Sequence, residues 1–258
     1  VFNHAEVREL TARGLMHEGA VSQALGLPGM PAAAEDLMTA RDVRLAEATG
    51  GRLHVMHVST AGSVEAVRAA KQRGVRVTCE VTPHHFTLTD ECLRSLDPNY
   101  KMNPPLRSEA DVRACLAGLA DGTIDAIATD HAPHAQEKKG RGLAQAPFGV
   151  VGLETALGLV VTRLIEPGHL DWPAALAKMT VHPARILDIP KGTLAVGADA
   201  DVTVIDPHWR WTVDPAAFHS KSTNTPFAGW ELKGRAVAVI VGGRVKYALG
   251  QEASARVE

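Results

Sequence analysis

Cysteine is scarce in this chain: Cys79, Cys92 and Cys115 are the only three among 258 residues. The count is odd and no CxxC pair occurs, so a disulfide framework is not expected. Free, mostly buried thiols in a reducing, cytoplasmic setting are expected instead. Long apolar runs are also missing. Stretches such as residues 236–241 fall far short of the roughly 20 residues that cross a bilayer, which speaks against a membrane partner. Neither sign of charge prevails: 27 Lys and Arg stand against 29 Asp and Glu, for a net charge of −2. No basic face for a nucleic acid follows from that balance. Internal repeats and low-complexity tracts are absent. An initiator Met is absent too, and no signal segment precedes the first motif. Val1-Phe2-Asn3-His4 reads like a buried strand cut open, and the expectation is a chain that lacks an N-terminal part.

What is present is the composition of a globular protein, 45% hydrophobic and 22% charged. That suffices for one large domain with a small appendage. Apolar, β-branched runs at 52–58, 75–81 and 124–128 read as buried strands. Helical periodicity covers 63–73, closed by Gly74, and 108–119, with Ser108 at the N-cap. Two further helices are expected over 154–165 and 173–179. Strand and helix alternate, which points to a parallel sheet with helical crossovers. After about Ile189 the pattern changes. Residues 201–206 alternate, and 236–247 read as a hairpin around Gly242-Gly243. The expected architecture is α/β: residues 1–189 as part of a barrel, and 190–258 as a C-terminal segment with a small β-rich, sandwich-like domain. A complete barrel of eight βα units takes about 250 residues by itself, so only part of one fits here.

Twelve histidines are present, and their placement matters more than their number. His4 ends the first strand, His57 the second, and Asp130 another. In a parallel barrel the carboxyl ends of strands converge on the face where chemistry is done. Two imidazoles and a carboxylate there can make a zinc site, although a single strand-end His is more often a satisfied polar residue. His84 and His85 are adjacent, and on an extended segment their side chains point to opposite faces. His17, His169, His208 and His219 sit in polar contexts and are expected to be solvated. His182 is expected to brace a helix start.

Five segments carry a resemblance. They are His54-Val55-Met56-His57-Val58-Ser59-Thr60, the stretch 80–85, Tyr100-Lys101-Met102-Asn103-Pro104-Pro105-Leu106-Arg107, the stretch 121–134 ending Asp130-His131-Ala132-Pro133-His134, and the stretch 146–155 with Phe148-Gly149. In this order they resemble the dihydroorotases of the bacterial type, over nearly the whole chain. The resemblance implies a TIM-type (β/α)8 metal-dependent hydrolase with two Zn2+ ions. By position it implies His4 and His57 as ligands of one metal. It implies Asp130 as ligand of the other and as the catalytic proton shuttle. Asn103, His134, Phe148 and Gly149 are implied as substrate-binding positions. The implied reaction is reversible hydrolysis of dihydroorotate to N-carbamoyl-L-aspartate, in pyrimidine biosynthesis. The associations it allows are a homodimer and aspartate transcarbamoylase. A His-x-His pair on a first strand, a bridging Lys or Asp and the substrate Arg are missing from this chain, so the chain alone is expected to be inactive. Rival readings are another cyclic amidohydrolase, an allantoinase or hydantoinase, and a non-catalytic dihydroorotase-like subunit that scaffolds aspartate transcarbamoylase.

Overall fold

The computed structural model describes residues 1–250. Its organising element is a parallel sheet in the order β1-β4-β5-β6. The strands are β1 (Phe2–Asn3), β4 (Leu53–Val55), β5 (Val77–Val81) and β6 (Ala126–Ile127). Between β1 and β4 lie the short helices α1 (Arg8–Thr11) and α2 (Ala20–Leu25), the small parallel pair β2 (Met16–His17) and β3 (Gly29–Met30), and the long helix α3 (Ala33–Thr49). Helices α4 (Ala61–Gln72) and α5 (Glu109–Ala120) connect the next strands.

Side chains alternate across each strand, and the alternation sorts them here. Leu53, Val55, Val77, Cys79 and Val81 join Val43, Val64, Val67, Cys115 and Leu119 in the core under the helices. His54, Thr78 and Glu80 take the other face, where His54 Nδ1 lies 2.8 Å from Thr78 Oγ1 and its Nε2 lies 3.2 Å from Glu80. The three thiols are free, with Cys79 and Cys115 buried. Burial pushes the Cys79 thiol up to about 12.

Helix starts follow their caps. Thr60 accepts from the Ser63 N–H at 3.2 Å, which sets the start of α4 at Ala61, ahead of the Ser63 expected from periodicity. Ser108 and Asp111 form a reciprocal capping box at α5. Later come α6 (Gln136–Lys139), α7 (Ala156–Val160) continued by a wider turn over Val161–Ile165, α8 (Trp172–Met179) and α9 (Val181–Leu187). The antiparallel sheet β7 (Val202–Thr212), β8 (Glu231–Val241) and β9 (Arg244–Ala248) follows, and β8 and β9 form the expected hairpin over Gly242-Gly243.

The β-rich segment does not stand apart. Val213, Phe227 and Leu232 share one core with Leu88, Met102, Leu106, Val150 and Leu159. Among the described residues, no helix is long and apolar enough to cross a membrane.

Candidate metal and substrate site

Parallel pairing of β1 with β4 places Phe2 opposite His54 and Asn3 opposite Val55. The two chains therefore leave the sheet side by side. His4 Nδ1 and His57 Nε2 lie 3.0 Å apart, with the rings edge to face. His57 adopts φ of 35° and Asp130, just beyond β6, φ of 46°. Non-glycine residues occupy that left-handed region rarely and at a cost, often where a site demands it.

Burial and the neighbouring His4 push the His57 imidazole down, against the pull of Asp130, Glu35 and Glu80. A neutral imidazole keeps a lone pair, as a metal ligand must. His57 Nδ1 is buried without a partner, while His4 Nε2 lies 3.3 Å from Glu6 Oε2. The two imidazoles, facing one another at a strand end, fit two ligands of a divalent cation. Among the described residues, no group of three His, Cys, Asp or Glu side chains converges closely enough to hold a metal. Asp130 is exposed and bears on His57 through its charge.

A second group of residues lies beside this pair. Asn103 Nδ2 donates to Glu6 Oε1 at 3.3 Å. Burial works to raise the Glu6 carboxyl, but the hydrogen bond from Thr11, the His4 charge and Asn103 together hold it below the usual carboxylate range. The His134 ring donates from Nε2 to the Phe148 carbonyl at 2.7 Å. The Gly149 N–H donates to the Lys101 carbonyl at 3.0 Å. Gly149 has φ of 111°, and a Cβ there would meet the Ala132 Cβ at 2.5 Å, so only glycine fits. Asn103, His134, Phe148 and Gly149 thus belong to one connected set of loops.

Several residues that build these loops were not singled out in the sequence. The Lys101 ammonium donates to the carbonyls of Leu143, Ala144 and Ala146 and lies 4.6 Å over the Phe148 ring. Lys139 donates to the carbonyls of Lys101 and Pro147, and burial, helped by the Lys101 charge, pushes its ammonium down to about 8. Glu35 is buried and accepts from the Ser59 and Thr60 N–H groups at 2.8 and 3.3 Å and from both hydroxyls. Arg107, also buried, donates to Glu35, to Ser59 Oγ and to the Met30 carbonyl. Asn224 reaches in from the β-rich segment. Apart from Pro147, which is eight residues from Lys139, these partners lie 24 or more positions away in sequence, so no local pattern marks them.

Two histidine expectations are corrected. His84 and His85 lie in a turn after β5 rather than on an extended segment. Both rings are buried with centroids 4.4 Å apart, instead of facing opposite ways. His85 is held by Thr82 Oγ1 and the Pro104 carbonyl. His17 is half-buried against Arg107 at 3.3 Å rather than solvated. His169, His208 and His219 are exposed, and His182 Nδ1 braces the start of α9 on the Asp125 carbonyl at 3.0 Å. A cleft of about 710 Å³ opens at the amino ends of the strands, near Phe2, Thr78 and Arg185, and neither His57 nor Asp130 lines it.

Residues 3–246 match the model of the amidohydrolase family. The chain is 61% identical to the dihydroorotase of Pelotomaculum thermopropionicum over 245 residues, covering 95% of this chain and 57% of that protein. It is 55% identical to the dihydroorotase of a Geobacter species, covering 97% of this chain and 59% of that protein. Among solved structures, a D-hydantoinase (dihydropyrimidinase) from Thermus sp. superposes with a TM-score of 0.85 at 31% identity, over 97% of this chain and 57% of that one. An L-hydantoinase from Arthrobacter aurescens gives 0.87 at 29%, over the same shares. The chain thus spans under three fifths of the length of these relatives.

Proposed function

The chain belongs to the amidohydrolase family, and from that premise we propose that the protein it forms is a dihydroorotase, interconverting (S)-dihydroorotate and N-carbamoyl-L-aspartate in pyrimidine biosynthesis in the cytoplasm. The observation that carries this reading is the 61% identity to a dihydroorotase across 95% of the chain. In this reading residues 1–189 are barrel and 190–258 an appended β-rich segment.

The proposed metal residues are His4 and His57 for one Zn2+ and Asp130 for a second. When bound, such ions polarise the amide carbonyl and lower the pKa of water to about 7. The chain's own residues do the rest. Asp130, exposed and ionisable at a strand end, takes the proton of the attacking water. It then returns that proton to the ring nitrogen as the C–N bond breaks. Water is thereby added across one amide bond: oxygen to the carbonyl carbon, hydrogen to the nitrogen. Asn103 and His134 hold the free carboxylate of the substrate, and the Phe148–Gly149 backbone completes the proposed substrate-binding set, joined to His134 through the Phe148 carbonyl.

A second reading, hydantoinase activity, is favoured by the superposition on two hydantoinase structures. Assaying the full-length protein against N-carbamoyl-L-aspartate, dihydroorotate, hydantoin, dihydrouracil and allantoin separates the readings. A preference for the first two is expected; a preference for hydantoin or dihydrouracil overturns the proposal. A homodimer, or a complex with aspartate transcarbamoylase, is the proposed assembly, and sedimentation of the full-length protein with and without that partner tests it.

A further inference from the structure

Asn224 lies between β7 and β8, in the segment beyond the barrel strands, yet its side chain is buried with 5% exposure. Its Oδ1 accepts the His134 N–H at 3.1 Å. Its Nδ2 donates to the carbonyl of Ala132 at 3.0 Å and to that of Gly149 at 3.2 Å. Its own carbonyl accepts the Val151 N–H at 3.0 Å. A primary amide has two N–H donors and one acceptor oxygen. All of them are spent on two stretches of backbone, 132–134 and 149–151. The first continues from Asp130 and carries His134. The second continues from Phe148 and contains Gly149. The two stretches also touch directly, through the Ala132 N–H on the Val150 carbonyl at 2.9 Å, and Asn224 ties them on both sides of that bond.

The residue is itself anchored. Thr225 and Phe227 beside it are buried, and Phe227 packs in the core with Val150 and Leu159. Nothing in this arrangement touches His4 or His57. The amide therefore fixes a distance between two substrate-facing loops and leaves the imidazole pair alone.

We infer that Asn224 is a positioning residue for the substrate: it sets the gap between His134 and the Phe148–Gly149 turn, so that a segment outside the barrel controls the fit of the cyclic amide. The inference rests on the reading of His134, Phe148 and Gly149 as substrate positions.

The test uses the full-length protein with Asn224→Ala, Asn224→Ser and Asn224→Asp. For the Ala and Ser variants KM should rise on the order of 10- to 100-fold, the scale on which a displaced positioning group acts. Their kcat should stay within about threefold, on the view that the reacting groups are untouched, and zinc content should be unchanged. The Asp variant should be worse than Ala at pH 8, because its carboxylate faces the carbonyl oxygens of Ala132 and Gly149. Its KM should recover as pH falls, once the protonated carboxyl can donate again. Amide exchange gives a readout that does not need activity. The His134 N–H should lose protection in the Ala variant, while the Val151 N–H, bonded to the main chain of residue 224, should keep it. If Ala does not fold, Ser and Asp still decide the point. Unchanged KM, an Asp variant without pH-dependent recovery, or a His134 amide as protected as before overturns the inference. Should the wild-type protein prefer another cyclic amide, the proposed dihydroorotase activity fails, and KM for that amide together with the exchange experiment still tests Asn224.

Discussion

Glu35 and Arg107 form a buried ion pair, Oε2 to Nη2 at 3.4 Å with each side chain 4% exposed, and between them they close on Ser59. Glu35 belongs to α3, Ser59 to the turn that follows His57, and Arg107 to the loop that begins at Asn103. One carboxylate therefore registers a proposed metal histidine against a proposed substrate asparagine. Two ions inside a protein are stabilising only when their remaining hydrogen bonds are made, and here they are, by the Ser59 and Thr60 N–H groups and the Met30 carbonyl.

Removing one partner should cost far more than removing both. Arg107→Met leaves Glu35 as an uncompensated buried charge and is expected to destabilise the full-length protein by about 3–5 kcal/mol. Glu35→Gln with Arg107→Met should recover a large part of that loss. Urea unfolding of the two variants and the wild type measures it. Equal losses in the single and double variants would remove the argument that the pair acts as a unit.

Acid should weaken the fold through its buried histidines. Burial pushes the His85 imidazole down to about 3 and His84 well below its usual value. Below about pH 6.5 the unfolded chain takes up a proton that the folded imidazole refuses. Stability is therefore full above 6.5 and falls as pH drops from 6.5 toward 3, by up to about 1.4 kcal/mol per pH unit for each such group. Unfolding midpoints at pH 7.5, 6 and 5 for wild type and His85→Gln test this. The variant should show the shallower slope, and identical slopes would rule His85 out as a source.

The elements that position the site were legible where their signal is local. Periodicity marks α4 and α5, Ser108 marks a cap, and Gly74 a stop. The placing of His57 and Asp130 follows from their positions at strand ends, and the parallel register of β1 on β4 brings His4 to His57. What escaped is long-range. Glu35 serves residues 24 positions away, and Asn224 serves His134 from 90 positions away. An Asn between two strands or a Glu in the first turn of a helix looks ordinary until the chain is folded. The error over His84 and His85 came from extending β5 beyond Val81, where Thr82 instead caps a turn through the His85 ring and backbone.

Asp130→Asn should abolish turnover in the full-length protein while leaving the unfolding midpoint within about 0.5 kcal/mol of wild type, as for exposed substitutions. Asn matches the size of Asp and tolerates the positive φ that Asp130 adopts, but it cannot accept a proton as a carboxylate does. A variant with both metals bound and near-normal kcat would assign the base to another group.

Residues 1–258 expressed alone should hold zinc weakly. His4 and His57 supply two imidazole nitrogens 3.0 Å apart, and among the described residues no third His, Cys, Asp or Glu joins them at coordination distance. A catalytic zinc is ordinarily held by three protein ligands with water in the fourth position. Two ligands leave the ion exchangeable, and Asp130, which belongs to the second proposed ion, does not complete the set. Dialysis against buffer followed by metal analysis should leave well under one zinc per chain, and dihydroorotate hydrolysis should be undetectable. His57→Ala should lower the residual zinc further, whereas Asp130→Asn should leave it nearly unchanged, because only His57 belongs to the converging pair. Two tightly held zinc ions per chain with near-normal turnover would show that this chain carries a complete site, and would displace His4 and His57 as the ligands that anchor it.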